Sequence, residues 1–189
     1  DLEASGENAA SKAGEPVKRG LSWYDAKAAC EQAGKRLCTE AEWLSACAGQ
    51  LPSDSDRNGI YSDETIVGQF YGYGNDWHTG TCADSRNPDA AGDIVAGNHP
   101  KCVTASGAYD MVGNVKEWVG LTPSDAGVKG GSYTSGESAR CGYYRDDLAP
   151  QIQDPTVGFR CCSGPAPAMG PEKPGRQVGD SLASFTVNL

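Results

Sequence analysis

The sequence predicts a domain of mixed secondary structure, with two helices, several strands and long loops, cross-linked by disulfides. Three observations support this prediction. Two segments before residue 50 carry complete helix start and stop signals, strand-like segments follow residue 115, and eight cysteines are spread along the chain. The 25 glycines and 11 prolines among 189 residues, with only 38% hydrophobic residues, favour a loop-rich domain over a helical bundle.

The two helices are predicted from their capping residues. In the first, Ser22 is the N-cap, Asp25 follows three residues later and Gly34 is the stop. In the second, Thr39 is the N-cap, Glu42 completes the capping box, and the helix is expected to end at Gly49. Residues 35–37 form a short extended link between them.

Three strands are predicted after the helices, at residues 116–120, 129–133 and 156–162. The intervening residues 50–106 contain few periodic segments and many Gly, Asn and Asp residues. Their aromatic side chains require burial, so we expect ordered loops held by disulfides.

The ends of the chain differ in composition from this domain. Residues 1–15 are small and polar and predict a linker or arm, which places the domain at residues 16–163. Residues 164–189 predict a Pro/Gly linker and a terminal strand that faintly resembles the opening of a thioredoxin-like domain. The start of another domain is therefore one alternative. We expect that a chain beginning Asp1-Leu2, without Met, is already processed or excised.

Charge and cysteine content limit the classes of function. A net charge of −9 and a pI near 4.6 argue against nucleic acid or an anionic membrane surface as partners, and no apolar run is long enough to span a membrane. The eight cysteines lack close metal-binding spacings and predict four disulfides. We therefore expect an exported protein that is extracellular, on the cell surface or periplasmic. A redox or metal-binding role for the cysteines is the alternative.

Five ordered sequence blocks resemble one known family. Residues 22–49 (SWYDAKAACEQAGKRLCTEAEWLSACAG), 71–75 (YGYGN), 107–118 (GAYDMVGNVKEW), 129–133 (KGGSY) and 158–160 (GFR) are similar to blocks of the formylglycine-generating, sulfatase-modifying enzyme family. The resemblance implies an α+β, C-type-lectin-like fold with two helices against twisted antiparallel strands. Family members carry strands and a helix before the first block. Either that section is shortened here, or the chain is a fragment of a larger protein.

The family's chemistry resembles copper-dependent oxidation of a substrate cysteine by a CxxxxC pair that follows the GGS block. By resemblance, Ser135 and Arg140 stand where the two copper-binding cysteines would be. Because Cu(I) requires soft thiolate ligands, we expect no copper site and no formylglycine-generating activity. Cys141 is aligned with a structural family cysteine, although altered thiol redox chemistry at this residue is the alternative function.

Neighbouring cysteines on a strand point to opposite faces, so Cys161 and Cys162 should have different partners. The resemblance implies the pairs Cys30–Cys161 and Cys47–Cys141. The remaining expected pairs are Cys38–Cys162, which joins two cysteines added to the family pattern, and Cys82–Cys102.

A structural calcium ion is also implied by the resemblance. The residues at the family's ligand positions in the DMVGNVKEW segment are Asp110, Gly113, Val115 and Glu117. Two carboxylates and backbone carbonyls on a Gly-Asn turn offer the hard oxygens that Ca²⁺ prefers. The alternative is that these carboxylates only hydrogen-bond the turn. At a second family site, Ala83 replaces an expected Asn, although four nearby residues could substitute: Asp84, Asn87, Asp89 and Asp93.

We therefore predict a non-catalytic, exported binding or structural module. Its partner would be a protein or a glycan, or further copies in an extracellular assembly. The candidate ligand surface lies between the GGS and GFR blocks, where Tyr and Arg are mixed with small polar residues. Its residues are Ser135, Glu137, Arg140, Tyr143, Tyr144, Arg145 and Asp146.

Overall fold

The structure is a computed structural model that describes residues 4–5, 10–49, 68–84 and 94–166. The elements in chain order are β1 (Ala4–Ser5), β2 (Ala10–Ser11), α1 (Trp23–Gln32), β3 (Arg36–Leu37), α2 (Glu40–Ala48), β4 (Lys116–Val119), β5 (Gly127–Lys129), a 3-10 turn (Gly136–Ser138), β6 (Tyr144–Arg145), β7 (Val157–Phe159) and β8 (Cys161–Cys162). The predicted α+β class is confirmed. Asn87, Asp89, Asp93 and the predicted terminal strand lie outside the described residues.

Both helices begin with the predicted capping boxes. In α1, the Ser22 hydroxyl accepts a hydrogen bond from the backbone N–H of Asp25 at 3.1 Å, and the Asp25 carboxylate accepts from the Ser22 N–H. In α2, Thr39 and Glu42 make the same reciprocal pair. Helix α2 ends at Gly49, whose φ of 82° is the left-handed conformation that glycine adopts without a steric penalty.

The main sheet has four strands in the order β6-β5-β4-β7. Strands β5 and β6 pair antiparallel, as do β4 and β5, but β4 and β7 are parallel, with Glu117 opposite Gly158. The expectation of antiparallel strands is therefore wrong for this pair. Parallel neighbours need a long connection, and here β5, β6 and the loop after them provide it.

All three predicted strands have different bounds, although β4 differs only in ending one residue early, at Val119. The segment predicted at 129–133 is already turning at Gly130 and Gly131, which have φ values of 85° and 72°, so β5 ends at Lys129. A Cβ on Gly130 would lie 2.6 Å from the Met111 carbonyl oxygen, so this close approach requires glycine. The segment predicted at 156–162 is divided at Arg160 into β7 and β8, and β8 pairs with β3.

The core has two main clusters of buried side chains. One lies under α1 and includes Trp23, Trp118 and Phe159, and the other surrounds α2 and includes Trp43, Leu44 and Met111. The sheet contributes to both clusters, so the two helices are held against a common frame. Within the described residues, no helix is both long and apolar enough to cross a membrane.

Residues 14–17 are joined to the domain by backbone hydrogen bonds, and a short strand pair precedes them. Strands β1 and β2, which lie within the segment predicted as an arm, form a short antiparallel pair. Next along the chain, Val17 donates its N–H to the Ile94 carbonyl, and Ala96 donates to Glu15. The 16–163 domain boundary remains a prediction.

Four disulfides cross-link this frame, and they use all eight cysteines. They join the pairs expected above: Cys30–Cys161, Cys38–Cys162, Cys47–Cys141 and Cys82–Cys102. The adjacent residues Cys161 and Cys162 connect one short strand to two different helical regions.

Candidate functional site

A buried ion pair lies at the centre of the domain, beside the segment where calcium was expected. Glu117 on β4 accepts hydrogen bonds from Arg160 Nε at 3.0 Å and Nη2 at 2.9 Å, and from Trp43 Nε1 at 2.6 Å. All three side chains are buried, and Arg160 also donates to the Tyr109 carbonyl. Three donors occupy most of the lone pairs of the Glu117 carboxylate, and its charge is already balanced.

Asp110, the other carboxylate of the expected calcium set, has a different environment. It is buried in a left-handed turn with φ of 56°, and its Oδ2 accepts the Gly97 N–H at 2.6 Å. Burial raises the pKa of Asp110, although the Gly97 hydrogen bond and the charges of Arg160 and His99 act against this. The buried carboxylate would gain from a nearby cation.

Asp84 is a third buried carboxylate, and it lies against the same turn. A Cβ on Gly113 would be 3.3 Å from the Cβ of Asp84, so the turn and this side chain are in close contact. Trp77 Nε1 donates to Asp84 Oδ2 at 2.9 Å, whereas the buried Oδ1 has no hydrogen-bond partner among the residues that the structure describes. Burial raises the pKa of Asp84 as well, with Trp77 opposing the shift.

The expected calcium ligands thus lie on one turn and at the start of β4, which follows it. They differ in their capacity to bind an ion. Asp110 fits a hard cation, since its desolvated carboxylate has one short backbone hydrogen bond. Glu117 retains little free coordination capacity beside Arg160. In residues 10–49, 68–84 and 94–166, no three His, Cys, Asp or Glu side chains form a group suited to a metal. Backbone carbonyls would therefore have to supply much of the ligand set.

The segment that would carry the family's cysteine pair is a compact polar turn. Ser135 is half-buried, and its hydroxyl accepts the Ser132 N–H at 2.9 Å. A 3-10 turn follows, and Gly131 packs so closely on Ala139 that an added Cβ would lie 2.7 Å from its Cα. Cys141, after this turn, is fully buried in its disulfide with Cys47. A bridged, buried sulfur is not a nucleophile, so this form provides no thiol for redox work.

The seven residues of the candidate ligand surface fall into two groups. Ser135, Glu137 and Arg140 belong to the 3-10 turn and its flanks, where Tyr71 donates its hydroxyl hydrogen to the Glu137 carbonyl at 3.2 Å. The second group consists of β6 and the residue on either side of it: Tyr143, Tyr144, Arg145 and Asp146. Glu137 and Arg145 are exposed, whereas the other members are half-buried.

Some side chains of the second group already contact other residues of the protein, which leaves fewer of their atoms available to bind a ligand. Arg145 makes a two-point ion pair with Asp147, at 2.8 and 2.7 Å, and so is already oriented along the surface. The ring of Tyr144 covers the Lys129 ammonium group at 5.1 Å from the ring centroid. Tyr144 therefore contributes as much to the core as to the surface.

Two features of this region are not evident from the sequence. Lys129 is fully buried, with Nζ 3.4 Å from Glu40 Oε1 and facing the ring of Trp43, and burial of a lysine has no local sequence signature. The second feature is an open groove of about 800 Å³ beside α2, which we call the α2 groove. Its lining includes Cys38, Ala41, Ser45, Ala46, Ser106 and Cys162.

Comparisons with known proteins agree with these blocks and this architecture. The family model of the sulfatase-modifying factor enzyme 1-like domain matches residues 2–164. The chain is 30% identical over 178 residues to the formylglycine-generating enzyme of Bos taurus, covering 79% of this chain and 44% of that protein. It is 28% identical over 162 residues to the inactive C-alpha-formylglycine-generating enzyme 2 of Bos taurus, covering 76% and 49%.

A bacterial relative gives the same result. The formylglycine-generating enzyme of Streptomyces coelicolor is 30% identical over 171 residues, covering 76% of this chain and 51% of that protein. The chain spans about half the length of the curated relatives it matches. The match extends over most of the described domain, whose α+β architecture is the C-type-lectin-like arrangement of that family. The chain belongs to the sulfatase-modifying factor enzyme 1-like domain family.

Proposed function

We propose that this chain is a non-catalytic, exported binding module built on the fold of its family. One observation carries the proposal: no free thiol is present in the segment that, by resemblance, corresponds to the family's cysteine pair. Ser135 and Arg140 occupy the positions inferred for the pair, and the nearby Cys141 is bridged to Cys47. Hydroxyl and guanidinium groups do not replace thiolates as ligands of Cu(I).

The comparisons support a non-catalytic role without defining a partner. One relative is named an inactive C-alpha-formylglycine-generating enzyme 2, so the family includes a member described as inactive. Four disulfides support an oxidising compartment, and we propose an extracellular, cell-surface or periplasmic location.

The proposed ligand is a protein or a glycan, and the proposed contact surface is the 3-10 turn with β6. A disulfide-linked frame that presents a polar loop is suited to binding, because the loop loses little conformational freedom when it is occupied. Glu137 is the most informative member, since its side chain is exposed while its carbonyl anchors the turn through Tyr71.

Catalysis is tested directly with a peptide that carries a substrate cysteine. The native protein is loaded with Cu(I), incubated in air with the peptide, and the cysteine is followed by mass spectrometry. We expect no aldehyde product and no stoichiometric copper binding. Aldehyde formation above that of a heat-denatured sample would contradict the proposal.

Binding is tested with a matched pair of charge reversals. Glycan arrays and partner capture are carried out with the native protein, with Glu137→Lys and with Glu31→Lys, an exposed position on α1. A ligand of the proposed surface is lost or weakened in Glu137→Lys and retained in Glu31→Lys. Equal binding by both variants would place the contact elsewhere.

We also propose a structural calcium ion at the turn formed by Asp110, Gly113, Val115 and Glu117. Support comes from Asp110, whose buried carboxylate accepts a short hydrogen bond from the Gly97 N–H. Asp110 would supply the negative charge and the carbonyls of Gly113 and Val115 neutral oxygens. Glu117, already paired with Arg160, would contribute least.

Calcium binding is measured through thermal unfolding. Adding Ca²⁺ to chelated protein should raise the melting temperature, because a ligand that binds only the folded state stabilises it. In Asp110→Asn this response should be lost, while Asp125→Asn, in a different loop, should retain it. An identical melting temperature with chelator and with Ca²⁺ would exclude the site.

A further inference from the structure

We propose that the Cys38–Cys162 disulfide is a thiol-exchange site, at which a dithiol entering the α2 groove reduces this bridge before the other three. Disulfides react with thiolates at rates that depend on access, on the sulfur attacked and on the stability of the thiolate that leaves. The four bridges differ in how far an attacking thiolate can reach them and in how stable the expelled thiolate would be.

Access separates two of the bridges from the other two. Cys47 and Cys141 are buried, and so are Cys82 and Cys102, so neither bridge presents a sulfur to solvent. Cys161 and Cys162 are both partly exposed, and both line the α2 groove. A small dithiol can therefore reach Cys161 and Cys162 without unfolding the domain.

The leaving thiolate separates the remaining two bridges. Attack on Cys161 would expel Cys30, which lies in the last turn of α1, where the helix dipole is negative and no basic side chain is present. Attack on Cys162 would expel Cys38, which directly precedes the N-cap of α2, where the dipole is positive. The thiolate of Cys38 is the better leaving group.

Acidic residues in the first turn of α2 do not reverse this preference. Glu42 is paired with Arg36 at 2.6 Å, and Glu40 lies 3.4 Å from the Lys129 ammonium group. Their negative charges are balanced before any thiolate forms at Cys38. Cys38 itself is buried, so the attack is assigned to Cys162, the partly exposed member of the bridge, and Cys38 belongs to the same groove wall.

The reaction proceeds by two exchanges. A thiolate of the dithiol attacks Sγ of Cys162, the Cys38–Cys162 bond breaks, and the electron pair leaves on Cys38 as thiolate. The second thiol of the reductant, after losing its proton, attacks the mixed disulfide and releases Cys162 as thiolate. The bridge gains two electrons and, on protonation, two protons, and the dithiol becomes a disulfide.

Reduction at this site leaves the domain folded. Strand β8 stays paired with β3, and Cys30–Cys161 still holds the neighbouring residue. Arg36 also fastens the chain after β8, since it donates to the carbonyls of Gly164 and Pro165. The change is confined to the groove wall and creates two thiols where the resting protein has none.

The order of reduction is measured on the native protein with increasing dithiothreitol. Samples are quenched by alkylation and the labelled cysteines are mapped by mass spectrometry. We expect Cys38 and Cys162 to be labelled while the other six remain unmodified. With glutathione, a monothiol, the mixed disulfide should form on Cys162. First labelling of Cys30 and Cys161, or simultaneous labelling of all bridges, would overturn the proposal.

Groove variants distinguish entry through the groove from reduction after local unfolding. Ser45→Trp places a large ring in the groove, and Ser106→Trp does so from a second position that lines it, in case the first fails to fold. Both should slow reduction of Cys38–Cys162 several-fold, whereas Ala28→Trp on the exposed face of α1 should not. Equal rates in all three folded variants would show that the groove is not the route.

Discussion

The two faces of helix α2 differ in what they contact and in what they leave open. On the inner face, Trp43, Leu44 and Cys47 are almost fully buried, and Trp43 donates to the Glu117–Arg160 pair. On the outer face, Ala41, Ser45 and Ala46 are only partly buried and line the α2 groove. One helix of nine residues therefore lies between a buried core cluster and the α2 groove.

Contacts that stabilise the fold and surfaces that are open to solvent therefore lie on opposite sides of the same helix. The inner face contacts the buried Glu117–Arg160 ion pair and carries the buried Cys47–Cys141 disulfide, so loss of one partner leaves the other uncompensated. The outer face has small side chains and a bridge near solvent, so changes there have smaller consequences for folding. Substitutions on each face test this separation.

The largest effect is expected from Glu117→Gln. The substitution leaves the Arg160 guanidinium buried without its counter-charge, which typically costs about 3–5 kcal/mol of unfolding free energy. Urea denaturation measures the loss. The control is Asp147→Asn, which breaks an exposed pair with Arg145 and should cost less than about 1 kcal/mol. A loss at Glu117 no larger than that of the control would contradict the assigned role.

The disulfides provide the second comparison. Replacing Cys47 and Cys141 by Ala should cost about 3–4 kcal/mol, whereas replacing Cys38 and Cys162 should cost about 2–3 kcal/mol. When Cys30–Cys161 is intact, the additional loop closed by Cys38–Cys162 is short, because Cys38 lies near Cys30 in sequence and Cys162 is next to Cys161. A short loop has little conformational entropy to lose, so the bridge stabilises the protein less. Calorimetric melting of the two double variants gives the ranking, and the reverse order would overturn it.

Acid should lower the stability of the protein by protonating Glu42, which lies in the first turn of α2. Burial alone would raise the pKa of this carboxyl, but hydrogen bonds from Arg36 and Thr39 outweigh burial and hold the pKa below its ordinary value of 4.5. The contribution to stability is therefore present above pH 4.5 and is lost as the pH falls through the lower folded-state pKa.

Glu42→Gln isolates this contribution. At pH 7 the variant should be less stable by about 1 kcal/mol, because the charged cap and ion pair of α2 are weakened. The difference from the native protein should shrink as the pH is lowered below 4.5. The stability of both proteins is measured by urea titration down to about pH 3. A stability difference that stays constant over this range would contradict the sign assigned to the pKa shift.

The smallest effect is expected from Ser45→Ala on the outer face. Ser45 lines the groove, and alanine is a better helix former, so the unfolding free energy should change by less than about 0.5 kcal/mol. The adjacent Leu44→Ala on the inner face should cost about 2–5 kcal/mol, because Leu44 is fully buried. Similar losses at the two positions would remove the distinction between the faces.

Local interactions explain which parts of this fold were predictable from sequence. The capping boxes at Ser22 and Thr39 depend on residues three apart, so both helices were placed correctly. The end of β5 at Lys129 depends on close packing of Gly130 against Met111, which the local sequence does not contain. The parallel pairing of β4 with β7 likewise depends on a long connection.

The candidate site shows the same limit. The family blocks identified Glu117 as a calcium ligand, but its pairing with Arg160, 43 residues away, appears only in three dimensions. Sequence position groups Asp84 with the second calcium site, but its contact with the Gly113 turn is evident only from the structure. The calcium ion and the ligand surface remain predictions.

The adjacent cysteines of β8 have a mechanical consequence. A pulling force on the chain after residue 162 passes through Cys162 to the start of α2 and through Cys161 to the end of α1. Covalent bonds carry that load before it reaches the short pairing of β7 with β4. In oxidised protein, extension from that side should therefore move both helices together and leave the sheet under little tension.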